Sequence, residues 1–365
     1  MKRIVVVGAG KIGSTVADML AGSGDYAVTL ADRSELALER AETQRPLARR
    51  RVDIAASAEL AAALEGSYAV LSAAPYHLTA DVARAARAAG CHYLDLTEDV
   101  AATRIVKGLA ADAETAFIPQ CGLAPGFISI VAHDLVARFD KLQDVRLGVG
   151  ALPQFPSNAL NYNLTWSTDG LINEYCEPCE AIVDGVLREV KPLEDLEQFA
   201  LDGVVYEAFN TSGGLGTLSE TLAGRVRNLS YRTIRYPGHA AIMKALLNDL
   251  RLRERREVLK DILENALPAT YQDVVIVYAS VSGERNGRLV QETFAQKIYA
   301  GPVHGQLRSA IQITTAAGIC AVLDLLAAGA LPQAGFVRQE QVALDAFLAN
   351  RFGRLYAPAT AQAAA

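Results

Sequence analysis

The chain has little cysteine, a single tryptophan and no long apolar run. Five cysteines in 365 residues, an odd count, do not form a disulfide framework and fit a reducing, cytoplasmic compartment. Cys176-Glu-Pro-Cys179 is the one CxxC, with no second pair to complete a zinc site, so no metal is expected. The apolar run at 4–7 stops at Gly8, too short for a signal peptide or a membrane span. The stretch 315–326 is also short and is broken by Asp324, so no membrane partner is expected. The net charge of −6 is poor footing for nucleic acid. Tyr-x-x-x-Lys and G-x-S-x-G are both missing, which sets aside short-chain dehydrogenase and nucleophile-elbow chemistry.

What is present reads as two domains. Residues 4–7, 26–31, 51–54, 68–72, 91–96 and 116–119 have strand character, and 14–21, 36–43, 58–64 and 78–89 have helical character. This alternation predicts an α/β fold with a Rossmann-type doubly wound parallel sheet. After Gly126 the rhythm changes. Residues 145–151, 161–167, 181–183, 186–190 and 204–210 are strand-like, and 240–265 reads as one helix. Residues 274–281 and 289–298 flank Asn286-Gly287, a hairpin signal. The expected second domain is α+β, with a mixed or antiparallel sheet. Residues 306–328 and 339–350 read as helices. The expected division is a dinucleotide-binding domain of 1–125 and 305–355, a substrate-binding and dimerisation domain of 126–304, and a disordered tail of 356–365.

Gly8-Ala-Gly10-Lys-Ile-Gly13 joins the first strand to the first helix. Amides at such a helix start have no partner within the helix and suit a pyrophosphate. Gly8 permits the turn, Gly10 lets the backbone touch phosphate, and Gly13 lets helix and strand pack. Lys11 and Ile12 supply the amides. Asp32 ends the second strand, where a carboxylate accepts bonds from an adenosine ribose. A carboxylate repels a 2′-phosphate, so NAD is expected over NADP. Arg33 stands against that choice, since it can pair with the phosphate as well as stack on adenine. Ser72, Ala73 and Ala74 end the fourth strand, Asp95, Thr97 and Glu98 follow the fifth, and Gly122 follows the sixth. These loops lie where a doubly wound sheet binds ligands.

Four blocks carry a resemblance: Cys121-GLAPG-Phe127, Thr165-WSTDGLINEY-Cys176, Glu207-AFNTSGGLGT-Leu218 and Thr233-IRYPG-His239. Together they resemble the saccharopine dehydrogenase-like family, and within it the lysine 6-dehydrogenase branch. The resemblance implies a Rossmann domain completed by C-terminal segments, an α/β substrate domain and a homodimer. It implies NAD-dependent oxidation of the lysine ε-amine, giving a semialdehyde that cyclises to piperideine-6-carboxylate. Saccharopine-forming relatives run similar carbon–nitrogen chemistry in reverse, usually with NADPH.

That chemistry sets physical requirements. Hydride leaves carbon only when the amine is neutral, and a free lysine amine has a pKa of about 10.4. A carboxylate or histidine must therefore take a proton. His239 fits that role, or positions water, or merely caps a helix after Pro237-Gly238. Asp95 and Glu98 are the alternatives. Arg235 suits the substrate carboxylate, because a guanidinium forks onto it. Asp169 or Glu174 suits a cationic amino group, and Thr165 and Trp166 suit a pocket wall.

Overall fold

The structure, a computed structural model, describes residues 1–357. The chain separates into two compact units. The first comprises Met1–Ile130, Pro302–Gln306 and the chain from Gln312 onward, and the second Val131–Gly301 and Leu307–Ile311.

In the first unit, seven parallel strands form one sheet. In chain order they are β1 (Lys2–Val7), β2 (Tyr26–Asp32), β3 (Ala48–Arg51), β4 (Ala69–Ser72), β5 (His92–Asp95), β6 (Ala116–Ile118) and the short Gly335–Phe336. Their spatial order is Gly335–Phe336, β6, β5, β4, β1, β2, β3. Strand β1 lies between β2 and β4. Its Ile4, Val5, Val6 and Val7 are buried, as a strand covered on both faces requires. The order reverses at β1, so the ligand crevice of this fold opens where β1 ends at Gly8. Strand β3 begins three residues before the expected 51–54. Its Ala-Arg-Arg-Arg sequence is exposed throughout, and a charged edge strand carries no apolar signal.

The helix Ala310–Ala327 is the one helix among the described residues long and apolar enough to cross a membrane, and 83% of it is buried inside the protein. It is longer than the apolar stretch 315–326. Its Gly318 lies flat on the Cys121–Gly122 turn, where a Cβ would come within 2.6 Å of the Cys121 carbonyl. Phe127 and Tyr356 pack with ring centroids 4.0 Å apart and planes tilted by 32°, and the Tyr356 hydroxyl donates to the Thr314 carbonyl at 2.6 Å. Tyr356 is therefore core, not the start of a tail. The rest of the expected tail lies outside the described residues.

The second unit holds β7 (Lys141–Pro153), β8 (Cys179–Val183), β9 (Val186–Val190), β10 (Glu197–Leu201), β11 (Val204–Asn210), β12 (Asn228–Arg235), β13 (Asp273–Arg285) and β14 (Arg288–Tyr299). The order is β10, β11, β12, β7, β13, β14, with the β8–β9 hairpin attached to β12. Only β12 and β7 run parallel, so the sheet is mixed. The β13–β14 turn has positive φ at both Asn286 and Gly287, the backbone that Asn-Gly favours.

Two expectations fail here. Residues 161–167 form no strand and make a single bridge, Leu164 to Ala269. The following helix, Thr168–Cys176, is capped by Ser167, whose hydroxyl accepts from the Gly170 amide. The expected helix 240–265 is broken into His239–Lys244, a π-turn Ala245–Asp249, a 3-10 turn Leu252–Glu254 and Arg256–Ala266. The interruption includes Arg251 at φ 56°. These pieces share an apolar cluster with Thr168–Cys176 that includes Leu171, Tyr175, Met243, Leu259 and Leu263.

Candidate active site

The dinucleotide turn is built as its glycines require. Gly8 has φ 103°, and a Cβ there would lie 2.7 Å from the Ala73 carbonyl. A Cβ on Gly13 would collide with the Gly8 carbonyl oxygen. Nothing lies within 4 Å of a Cβ on Gly10, so the space beside its backbone is open. The first ladder bond of the helix Lys11–Ser23 runs from the Ser14 amide to the Gly10 carbonyl, which leaves the Lys11, Ile12 and Gly13 amides ahead of it. Open space beside bare amides fits a diphosphate. Ala73 supports the turn from below: its amide donates to Val7 and its carbonyl abuts Gly8. Ser72 is buried, and Ala74 packs partly buried on the core of this unit.

Asp32 differs in detail from the expectation. Its Oδ2 accepts from the Ala9 amide and its Oδ1 from the Ser34 amide, both at 2.8 Å. Each oxygen is thus already engaged in holding the turn. Arg33 is exposed beside it, and the register of β2 and β3 places Arg51, also exposed, opposite Asp32. Two arginines, one next in sequence and one opposite in register, thus neighbour a carboxylate that accepts from two amides. Those arginines suit a 2′-phosphate.

Asp95 brackets the loops that follow β5 and β6. Its carboxylate accepts from the Thr97 amide at 3.1 Å, the Gln120 amide at 2.8 Å and the Tyr93 hydroxyl at 2.7 Å. Burial still raises it to about 6. Thr97 is buried, and its hydroxyl accepts from the Asp99 amide. Glu98 follows, and burial, with Asp99 and Asp95 adding repulsion, raises its carboxyl to about 7. Gly122 anchors the next turn, its carbonyl accepting from the Phe127 amide.

In the second unit, Arg235 ends β12 and is 2% exposed. Its Nε donates to the Tyr175 hydroxyl at 3.0 Å and its Nη1 to the Ile234 carbonyl at 2.9 Å. The guanidinium carbon lies 5.2 Å from the Tyr162 ring centroid. The Tyr175 hydroxyl is 3.0 Å from Nε2 of His239, whose Nδ1 is 2.9 Å from the Leu160 carbonyl. Burial and the nearby Arg235 lower His239 to about 3. Glu207, opposite Arg235 on β11, accepts from the Gly238 and Ala240 amides and so fixes the helix start that carries His239.

Glu174 is 6% exposed, and its charge acts on Tyr162, Tyr175, Tyr231 and Arg235. Thr165 is buried beside Tyr162, and Asn163 Oδ1 and Thr211 Oγ1 are buried without a hydrogen-bond partner among the described residues. Asp169 stands apart from these groups. Its Oδ2 pairs with Lys260 at 2.7 Å on a partly exposed face, away from the buried cluster around Arg235. Trp166 packs, partly buried, against the cluster around Leu171. Sequence reasoning missed Tyr175, Tyr162 and Glu207. Glu207 and Tyr175 lay within quoted blocks, but nothing local marks a buried polar chain.

Comparison with known proteins places both units. The family described as Saccharopine dehydrogenase NADP binding domain matches residues 4–117, and that described as Saccharopine dehydrogenase C-terminal domain matches residues 122–355. The first description overturns the expected preference for NAD and points to NADP. Among solved structures, apo saccharopine dehydrogenase (L-Glu forming) from Saccharomyces cerevisiae is 16% identical, with a TM-score of 0.76. The match covers 95% of this chain and 96% of that one. A DAP dehydrogenase from C. glutamicum in complex with DAP is 14% identical over 98% of this chain and 99% of that one, with a TM-score of 0.48. The family descriptions name saccharopine dehydrogenase and do not single out the lysine 6-dehydrogenase branch. The chain belongs to the saccharopine dehydrogenase family, within the NAD(P)-dependent oxidoreductases.

Proposed function

We propose that this protein is an NADP(H)-dependent oxidoreductase of the saccharopine dehydrogenase type, making or breaking the carbon–nitrogen bond of a secondary amine on an amino acid. The dinucleotide accepts or delivers the hydride. The amides of Lys11, Ile12 and Gly13 hold the diphosphate, and Arg33 and Arg51 hold the 2′-phosphate. Arg235 receives a substrate carboxylate, and Glu174 offsets a substrate ammonium group. Within the dinucleotide unit, Glu98 is the proton acceptor of this reading: a carboxyl near 7 is ionised often enough to accept a proton and is basic enough to hold it.

The observation that carries the amino-acid half of this reading is Arg235. It is a buried cation whose Nη2 makes no hydrogen bond among the described residues, set among buried polar side chains that include Glu174. Burial of a charge is costly unless a partner completes it. An amino acid brings both the carboxylate for Arg235 and the ammonium for Glu174.

The test is reduction of NADP by saccharopine, followed as absorbance of the reduced nicotinamide. A second reading is direct oxidation of the lysine ε-amine, favoured by the blocks at 165–176 and 233–239. Turnover with lysine and none with saccharopine would select it. Failure of both amines across both dinucleotides would remove the dehydrogenase reading.

A further inference from the structure

The hydrogen bonds around Arg235 have one consistent direction. The Leu160 carbonyl can only accept, so Nδ1 of His239 carries a proton. His239 is 1% exposed and lies near a cation, so the ring is neutral and Nε2 holds a bare lone pair. The Tyr175 hydroxyl has a single proton and donates it to that lone pair. The phenol oxygen then accepts the Nε proton of Arg235. The chain runs from Arg235 Nε to Tyr175 to His239 Nε2, and from His239 Nδ1 to the Leu160 carbonyl. Neither nitrogen of His239 is left for a substrate.

We infer that Tyr175 and His239 are positioning residues that fix the plane of Arg235 for a substrate carboxylate, and that His239 is not the proton acceptor. The Ile234 carbonyl takes one proton of Nη1 and Tyr175 takes the Nε proton, so the second Nη1 proton and both Nη2 protons are the donors left for a ligand. The Tyr162 ring, 5.2 Å from the guanidinium carbon, restrains the same plane. Glu207 secures the far end of the chain through the amides on either side of His239. This inference rests on the reading that Arg235 binds substrate.

Two measurements separate the outcomes. In the full-length protein with ¹⁵N-labelled histidine, His239 is expected to remain a neutral Nδ1–H tautomer from about pH 5 to about pH 9. Titration near the free histidine value, or an Nε2–H tautomer, would overturn the chain whatever the substrate proves to be. In steady-state assays with saccharopine and NADP, Tyr175→Phe is expected to raise KM for saccharopine by about tenfold, with kcat and KM for NADP changed less than about threefold. His239→Gln keeps a donor and an acceptor and is expected to restore most of what His239→Ala loses. A kcat loss of about 10² or more in His239→Gln, with the acid limb of the pH profile abolished, would make His239 the base and refute the inference. Arg235→Ala is the control. If it leaves KM for saccharopine unchanged, the carboxylate reading fails. If it raises KM while Tyr175→Phe does not, only the positioning role fails.

Discussion

Asp32 accepts the amide hydrogen of Ala9 at 2.8 Å, across the turn that is to hold the diphosphate. The second oxygen takes the Ser34 amide. The carboxylate therefore ties the glycine turn to the end of β2 before any nucleotide arrives. Asp32→Ala leaves two amides without their acceptor and is expected to cost about 1–3 kcal/mol, read as a lower urea midpoint. The diphosphate proposed for this turn is common to both dinucleotides, so the variant is expected to weaken NADP and NAD together in a fluorescence titration. A selective gain for NADP would instead make Asp32 a discriminator of the 2′ position.

Discrimination is expected from Arg33 and Arg51. Arg33→Ala and Arg51→Ala remove groups suited to a 2′-phosphate and leave the turn intact. Each is expected to raise Kd for NADP by about tenfold while changing Kd for NAD by less than about twofold. The loss should shrink with added salt, since both side chains are exposed. Equal effects on both dinucleotides would place the adenosine end elsewhere.

Two glycines in one motif should behave differently. A Cβ on Gly13 runs into the Gly8 carbonyl, and backbone cannot move aside cheaply, so Gly13→Ala is expected to destabilise the protein by about 1–3 kcal/mol or more. A Cβ on Gly10 meets nothing. Gly10→Ala is therefore expected to unfold near the parent temperature and yet to bind NADP at least about tenfold more weakly, since the methyl group fills space meant for phosphate. Calorimetric melting and nucleotide titration of the pair distinguish the two roles.

The same contrast explains what the sequence disclosed. The nucleotide turn was legible because each requirement is local: an apolar strand, a glycine where a carbonyl approaches, amides at a helix start. The Asn286-Gly287 turn was legible for the same reason, since positive φ at successive residues selects those two residue types. Strand β3 was misplaced because Arg49, Arg50 and Arg51 carry no alternation. The helix Thr168–Cys176 was hidden because it is short and its packing partners, such as Leu259 and Leu263, lie far along the chain. Arg235 could be singled out by charge, but its orientation depends on Tyr175, which is held in turn by His239 and the Leu160 carbonyl. No spacing rule encodes contacts of that range.

Glu98 makes a prediction in pH. Its carboxyl rises from 4.5 to about 7, so the folded state favours the protonated form. Its contribution to stability is therefore full below the unfolded value and is lost as pH rises through about 7. As a proton acceptor it works in the opposite sense, because only the ionised form accepts. Amine oxidation is expected to climb with pH along a limb centred near 7. Glu98→Gln should flatten that limb and lower kcat by about 10²–10⁴. A limb that persists in the variant assigns the acceptor role to another group.

Asp169 and Glu174 lie on one helix, five residues apart, and at about 100° per residue they point some 140° away from each other. Only one can serve a buried substrate. Asp169 meets Lys260 at a partly exposed surface, where an ion pair contributes roughly 0–1 kcal/mol, so Asp169→Asn is expected to change neither KM nor kcat measurably. Glu174 lies in the buried polar cluster with Arg235, where a charge strongly affects what binds. Glu174→Gln keeps the shape and removes the charge. It is expected to raise KM for saccharopine by about tenfold or more, and to leave KM for a substrate analogue lacking the amino group nearly unchanged. That split identifies Glu174 as the partner of an ammonium group. A general loss of affinity for both compounds would show only that the cluster had been disturbed.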